Sequence, residues 1–241
     1  MLDGHASKVV ISRMIELDLP SVEQQFPVVL FQRLEKMYPS AFVFLYPVSK
    51  GVFWLGASPE LLLEKKNCFF KTVSLAGTRP AASPGNWGEK EIVEQKIVTD
   101  YILDLLVRHG GENVHTNGPY TSAAGVIEHL KTDILFESNQ NSKYWMDLFH
   151  PTPAICGFPK MNALEFIQSN EFHNREMYSG VIGWHSPEQS HLYIQLRTMK
   201  VDLNEGKAYI YVGGGLLPES DSLLEWEETE KKAMVMKSVL F

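Results

Sequence analysis

Four short apolar runs, at residues 41–47, 52–56, 61–64 and 68–73, follow one another with only a few turn-forming residues between them. Each is short for a helix, and the valine, leucine and phenylalanine content suits a strand. Links that brief return the chain beside itself, because a parallel crossover takes a dozen residues or more. This part of the chain is therefore committed to antiparallel sheet. Residues 8–17 read as an earlier strand. Residues 24–37 read as a short helix with Leu30, Phe31, Leu34 and Met37 on one side.

Pro84-Gly85-Asn86 is a loop, and a long amphipathic helix is predicted at 89–108, ending at His109-Gly110-Gly111. Ile92, Val93, Ile97, Tyr101 and Leu105 supply its apolar side. Residues 111–150 look irregular apart from a helix near 142–148, and 161–169 is another short helix. Residues 191–197 and 207–212 alternate like a strand pair, with Asn204-Glu205-Gly206 as turn chemistry. A closing helix at 223–239 takes Ser220, Asp221 or Ser222 as its cap. Strands and helices mix without strict alternation, which gives an α+β fold, mainly antiparallel, over one domain at 1–241.

Hydrophobic residues make up 44% of the 241 and charged residues 21%, enough apolar material for a sizeable core. The net charge is −7 and no Lys/Arg cluster stands out, so nucleic acid is not expected as a partner. No run approaches the roughly 20 apolar residues of a membrane span, and the start of the chain lacks the apolar core of a secretory signal. A cytoplasmic protein is expected, with Cys68 and Cys156 as buried free thiols. An acidic protein that binds an anion must gather positive charge locally or use a metal.

Several constellations bear chemistry. Glu91 and Glu94 share one helix face, and Glu225 and Glu228 repeat that spacing on the last helix, four residues before Lys232. If the two helices pack side by side, four carboxylates converge and a hard divalent cation is their natural resident. Plainer readings stand beside that one: Glu225 as a capping-box acid, Glu228–Lys232 as an ordinary helix ion pair, Glu91 and Glu94 as a solvated face. Ser74–Pro80 and Gly213-Gly214-Gly215 each follow a strand and would bring backbone N–H groups to an anion, or serve as plain turns or bulges. Glu60 sits on a turn between apolar strands, where burial would raise its pKa towards general-acid use; a loop glutamate in water is the ordinary alternative. Lys8, in an apolar strand, would move the other way if buried, towards a general base, or else lies at a strand edge in solvent. The proline-rich stretch 151–159 makes a stiff loop, suited to a site wall or to any crossover. The histidines lack zinc spacing, and no GxSxG elbow is present.

In order along the chain, KVVISR, GASPELLLE, SLAGTRP, EKEIVEQ, HPTPAICGFPK, REMYSGVIGW, LRT, YVGGGL and EWEETEKK resemble the chorismate-utilising enzymes, which include isochorismate, salicylate, anthranilate and aminodeoxychorismate synthases. The resemblance runs from about Lys8 to the end. It implies a fold with antiparallel sheets sandwiched inside and helices outside, and a chorismate site dependent on Mg²⁺. Residue by residue, it implies Lys8 as the base that activates water and Glu60 as the acid for the departing hydroxyl. It implies Glu94 and Glu228 as direct magnesium ligands, with Glu91 and Glu225 holding metal-bound waters. Arg197, Tyr178 and Lys232 would bind carboxylates, Gly77 and Gly213 would lie against the substrate, and His129 would stand near the ring.

Within that family, ammonia-using and salicylate-forming members usually carry threonine where this chain has Ala154, so the resemblance points to the isochorismate branch, with no glutaminase partner expected. Salicylate- or anthranilate-type chemistry, or a catalytically impaired chorismate-binding fragment, are the alternatives. The chain departs from the family in Gln95, where histidine is usual, and in Gly214, where alanine is usual. Family chains generally carry a further N-terminal segment. A chain lacking it would expose a sheet edge.

Overall fold

The computed structural model describes residues 6–19, 26–81, 83, 85–124 and 127–240. Gln24, Gln25 and Pro84 lie outside them. Two six-stranded antiparallel sheets form the interior. The first contains β1 (Lys8–Asp18), β2 (Phe42–Ser49), β3 (Val52–Ser58), β8 (Gly157–Phe158), β11 (Thr198–Asp202) and β12 (Lys207–Leu216), in the order β2-β3-β11-β12-β1-β8. The second contains β4 (Leu61–Lys66), β5 (Phe69–Pro80), β6 (Glu112–Ala124), β7 (Ile127–Glu137), β9 (Val181–His185) and β10 (Gln189–Ile194), in the order β6-β7-β5-β4-β10-β9. The expected antiparallel runs are present, and the third and fourth continue into longer strands.

Helices cover the outer faces. Helix α1 (Phe26–Met37) and α5 (Ser222–Leu240) bury Leu30, Leu34, Ala233, Met236 and Val239 against Leu55, Met199 and Ile210 of the first sheet. Helix α2 (Glu89–His109) and α3 (Ser142–Phe149) bury Val98, Ile102, Leu106, Trp145 and Phe149 against Leu63, Ile134 and Ile194 of the second. Helix α4 (Lys160–Asn170) packs on β1 through Ala163 and Ile167. The inner faces meet through aromatic contacts such as Phe42 with Tyr193, ring centroids 4.5 Å apart. The α+β sandwich with helices outside is thus the fold.

Several expectations need correction. The irregular middle is instead the long hairpin β6–β7, whose alternation is hidden because Leu135 and much of β6 face solvent. The predicted pairing of 191–197 with 207–212 does not form: β10 pairs with β4 and β9, while β12 pairs with β11 and β1. The turn at 204–206 belongs to the β11–β12 hairpin. The buried stripe of α2 is Gln95, Val98, Ile102 and Leu106, and Ile92 and Val93 are exposed. Met37 is exposed, and so is Cys68, whereas Cys156 is buried. The glycines 213–215 do not follow a strand but lie inside β12, paired with Ser12, Ile11 and Val10. Ser74–Pro80 likewise lies inside β5.

Candidate active site

A cavity opens between the sheets, beside α2 and α5. Glu60, Gly77, Glu94, His129, Ala154, Tyr178, Arg197, Gly213 and Lys232 all line it. Lys8 stands behind Glu94, fully buried at the start of β1, with its Nζ 2.9 Å from Glu94 Oε1. That contact is a close ion pair, yet Nζ makes no directed hydrogen bond.

Each position has a local cause. Glu60 occupies the short link between β3 and β4; its backbone N–H donates to Ser58 Oγ at 3.3 Å and its carbonyl accepts from Ile194 N at 3.0 Å. At 4% exposure, burial pushes its carboxyl up to about 7, against the opposing pull of Lys8, Lys232 and Arg197. Gly77 is the extra residue of a bulge in β5, where the register with β7 shifts between Ala76 and Thr78. Its φ of +71° suits glycine, and a Cβ there would come within 2.9 Å of Glu91 Cβ. The bulge turns Gly77 N–H towards Glu94 Oε2, at 3.2 Å. Across the cavity, a Cβ on Gly215 would overlap Glu94 Oε1, so the glycine run of β12 makes room for that carboxylate.

Arg197 joins β10 to β11 at φ +47°, a conformation side chains rarely adopt. Its carbonyl accepts from Ala57 N at 3.0 Å, which ties the turn down. Its Nη2 lies 3.1 Å from His129 Nε2, and Nη1 is buried without a hydrogen-bond partner. Burial, then Arg197 and Lys232, push His129 down to about 3, so the ring is neutral. Nε2 then accepts from Arg197, and Nδ1 carries the proton and donates to Gly77 O at 3.1 Å. Burial raises the Tyr178 phenol to about 12. Lys232 donates to Gly213 O at 2.9 Å and pairs with Glu228 Oε1 at 2.6 Å. Burial alone would raise the Glu228 carboxyl, but Lys232 and Lys90 hold it below its usual range. Arg197 and Lys232 thus bring two cationic groups to the cavity wall.

The carboxylate pairs are drawn towards one another without forming a ligand cage. Glu91, Glu225 and Glu228 line a cleft next to the cavity, while Glu94 faces the cavity itself. Among the described residues, no group of three or more acidic, histidine or cysteine side chains is gathered closely enough to hold a metal. Lysines hold three of the four carboxylates: Glu94 by Lys8, Glu228 by Lys232, and Glu225 by Lys90. Glu225 does not act as a capping-box acid; it also accepts from Ser220 Oγ at 2.8 Å, and Asp221 caps α5. Lys90 and Ser58 were missed by reading the sequence. Between Glu89 and Glu91, Lys90 looks like part of a solvated helix start, and nothing local signals its partner 135 residues away.

The whole chain, residues 1–241, matches the model of the chorismate binding enzyme family, and it belongs to that family. Within it, the isochorismate synthase EntC of Escherichia coli K12 is 31% identical over 245 residues, an overlap of 96% of this chain and 62% of that protein. Among solved structures, DhbC from Bacillus anthracis superposes with a TM-score of 0.88 at 26% identity, over 99% of this chain and 67% of that one. The menaquinone-specific isochorismate synthase MenF of Escherichia coli gives a TM-score of 0.89 at 24% identity, a likeness of fold, over 100% of this chain and 58% of that one. The chain spans about three fifths of the length of EntC.

Proposed function

We propose that the chain binds chorismate and isomerises it to isochorismate in a Mg²⁺-dependent reaction. The observation that carries this reading is the polarity of one cavity. A carboxyl poised near neutrality, Glu60, faces a space that Arg197 and Lys232 also line, and Arg197 Nη1 is a buried donor with no hydrogen-bond partner. Such a site suits a dianion that must lose a hydroxyl. The similarity to EntC supports the same branch.

In this reading Arg197 Nη1 and Lys232 hold the substrate's carboxylates, with Tyr178 beside them. Lys8, held behind Glu94, is the base that takes the proton of the water that attacks carbon 2. Glu60 gives its proton to the hydroxyl that leaves carbon 4. Each transfer is typically worth about 10²–10⁴-fold. His129, neutral and hydrogen-bonded at both nitrogens, keeps the Arg197 guanidinium in place near the ring.

The donor chemistry of the acidic residues suits a hard divalent cation, which would draw the carboxylates closer than they stand here. All four offer carboxylate oxygens, Glu225 Oε2 is buried without a partner, and an ammonium already lies among them. Glu94 and Glu228 would bind the cation directly, and Glu91 and Glu225 would hold its waters. When bound, it would neutralise the ring carboxylate and draw electron density along the conjugated system.

Incubating the protein with chorismate, with and without Mg²⁺, and identifying products by chromatography and mass spectrometry tests the proposal. Isochorismate formed only with Mg²⁺ is the expected result. Salicylate or anthranilate-type products would move the branch, and binding without turnover would favour an impaired fragment. Ala154 lines the cavity, so Ala154→Thr adds a hydroxyl beside the substrate; a shifted product distribution is expected.

A further inference from the structure

Lys90 is the second residue of α2, and its ammonium pairs with Glu225 Oε1 across the cleft to α5. Glu228 and Glu94 also act on it electrostatically. Within α2, Glu94 favours a cation at that place, against the helix dipole. The first turn of a helix carries partial positive charge, which suits its neighbours Glu89 and Glu91 and disfavours a lysine. What holds Lys90 is the acid cluster, whose Glu225 Oε2 is still buried and unpartnered even with the lysine present.

The three lysines of the site differ in how they could leave. Lys8 is fully buried in β1, and Lys232 is tied to Gly213 O. Lys90, in the first turn of α2 and lining the cleft, has a side chain 31% exposed, against 17% for Lys232 and 0% for Lys8.

We infer that Lys90 is the internal counter-cation of this site: its ammonium pairs with Glu225 in the acidic cleft and must withdraw before a divalent cation binds there. This rests on the divalent-cation reading given above. Lys90 is thus a positioning residue that offsets part of the cleft's negative charge and lowers its cation affinity.

The test is calorimetric titration of MgCl2 into chelator-treated wild type, Lys90→Gln and Lys90→Arg, paired with melting temperatures in excess EDTA and in excess MgCl2. Lys90→Gln should bind Mg²⁺ about tenfold more tightly, equivalent to 1.4 kcal/mol. It should also melt lower than wild type in EDTA and rise further on adding Mg²⁺. Lys90→Arg keeps the charge and should stay near wild type in both readings. Loss of a merely structural lysine would weaken or spare Mg²⁺ binding, so unchanged or weaker affinity in Lys90→Gln overturns the inference while leaving the metal site standing. No heat and no melting shift in any of the three proteins would instead overturn the cation reading itself. Binding seen in Lys90→Gln but not in wild type would support the inference in its strongest form.

Discussion

Glu60 titrates near neutrality because the cavity wall strips its water and the nearby cations compensate only in part. Its native pKa lies above that of an unfolded carboxyl, so between about 4.5 and about 7 the folded chain keeps a proton that the unfolded chain has lost. Stability therefore falls as pH rises through that window, and the full cost applies above it. Glu60→Gln should raise the melting temperature at about pH 8, by an amount equivalent to at most roughly 3 kcal/mol, and leave it unchanged at about pH 4. The same variant should lose turnover. In wild type, kcat/KM should decline on the alkaline side with a midpoint near 7.

Glu94 and Glu228 should behave differently although both would bind the cation. Glu94→Gln strands the fully buried Lys8 and should cost roughly 3 kcal/mol in urea unfolding, the usual penalty for breaking a buried pair. Glu228 leaves Lys232 its bond to Gly213 O, so Glu228→Gln should cost about 1 kcal/mol or less. Both should weaken Mg²⁺ binding in calorimetry. Undiminished affinity in both would sink the ligand assignment.

At the scale of elements, the site depends on what two strands leave out. The β5 bulge at Gly77 aims a backbone N–H at Glu94, and β12 omits a side chain at Gly215 so that Glu94 can lie against it. Gly215→Ala would drive its methyl into Glu94 Oε1 and close to Lys8 Cε, at 3.2 Å. We expect Mg²⁺ affinity and turnover to drop while the β1–β12 ladder stays intact, read as retained circular dichroism with a melting temperature lowered by the equivalent of about 1–3 kcal/mol. Helix α1 was legible from the spacing of Leu30 and Leu34, which are buried, and α5 from its capping residues. The hairpin β6–β7 was not, because it lies at a sheet edge where apolar and polar residues are less strictly sorted. The misplaced stripe of α2 has a related cause. Gln95 is buried, donating to Ser74 O, Ser74 Oγ and Thr132 Oγ1, so a polar residue occupies a core position while Ile92 and Val93 face outward.

Across the whole molecule, the two sheets are joined at His129 of β7 and Arg197, which leads into β11. A neutral His129 is part of that seam. Its native pKa of about 3 lies below the ordinary histidine value, so unfolding takes up a proton in the range between. The contribution of His129 to stability should then fall as pH drops below about 6.5, by roughly 1.4 kcal/mol per unit until about 3, while Glu60 acts in the opposite sense down to about 4.5. His129→Asn should therefore gain stability at about pH 5 relative to about pH 7, compared with wild type, when urea midpoints are measured at both. An equally steep slope in the variant would assign the acid sensitivity to other groups.

No helix among the described residues is long and apolar enough to cross a membrane. The ordered motifs carried the family and nine of the residues that line the cavity, and the strand runs carried the antiparallel fold, because motif order, short turns and strand periodicity are written locally in a chain. Sheet partnership, the protonation of Glu60 and His129, and the pairing of Lys8 with Glu94 and of Lys90 with Glu225 were not local. They arise from burial and from charges brought together from distant parts of the chain, and desolvation acts only once those surfaces have met.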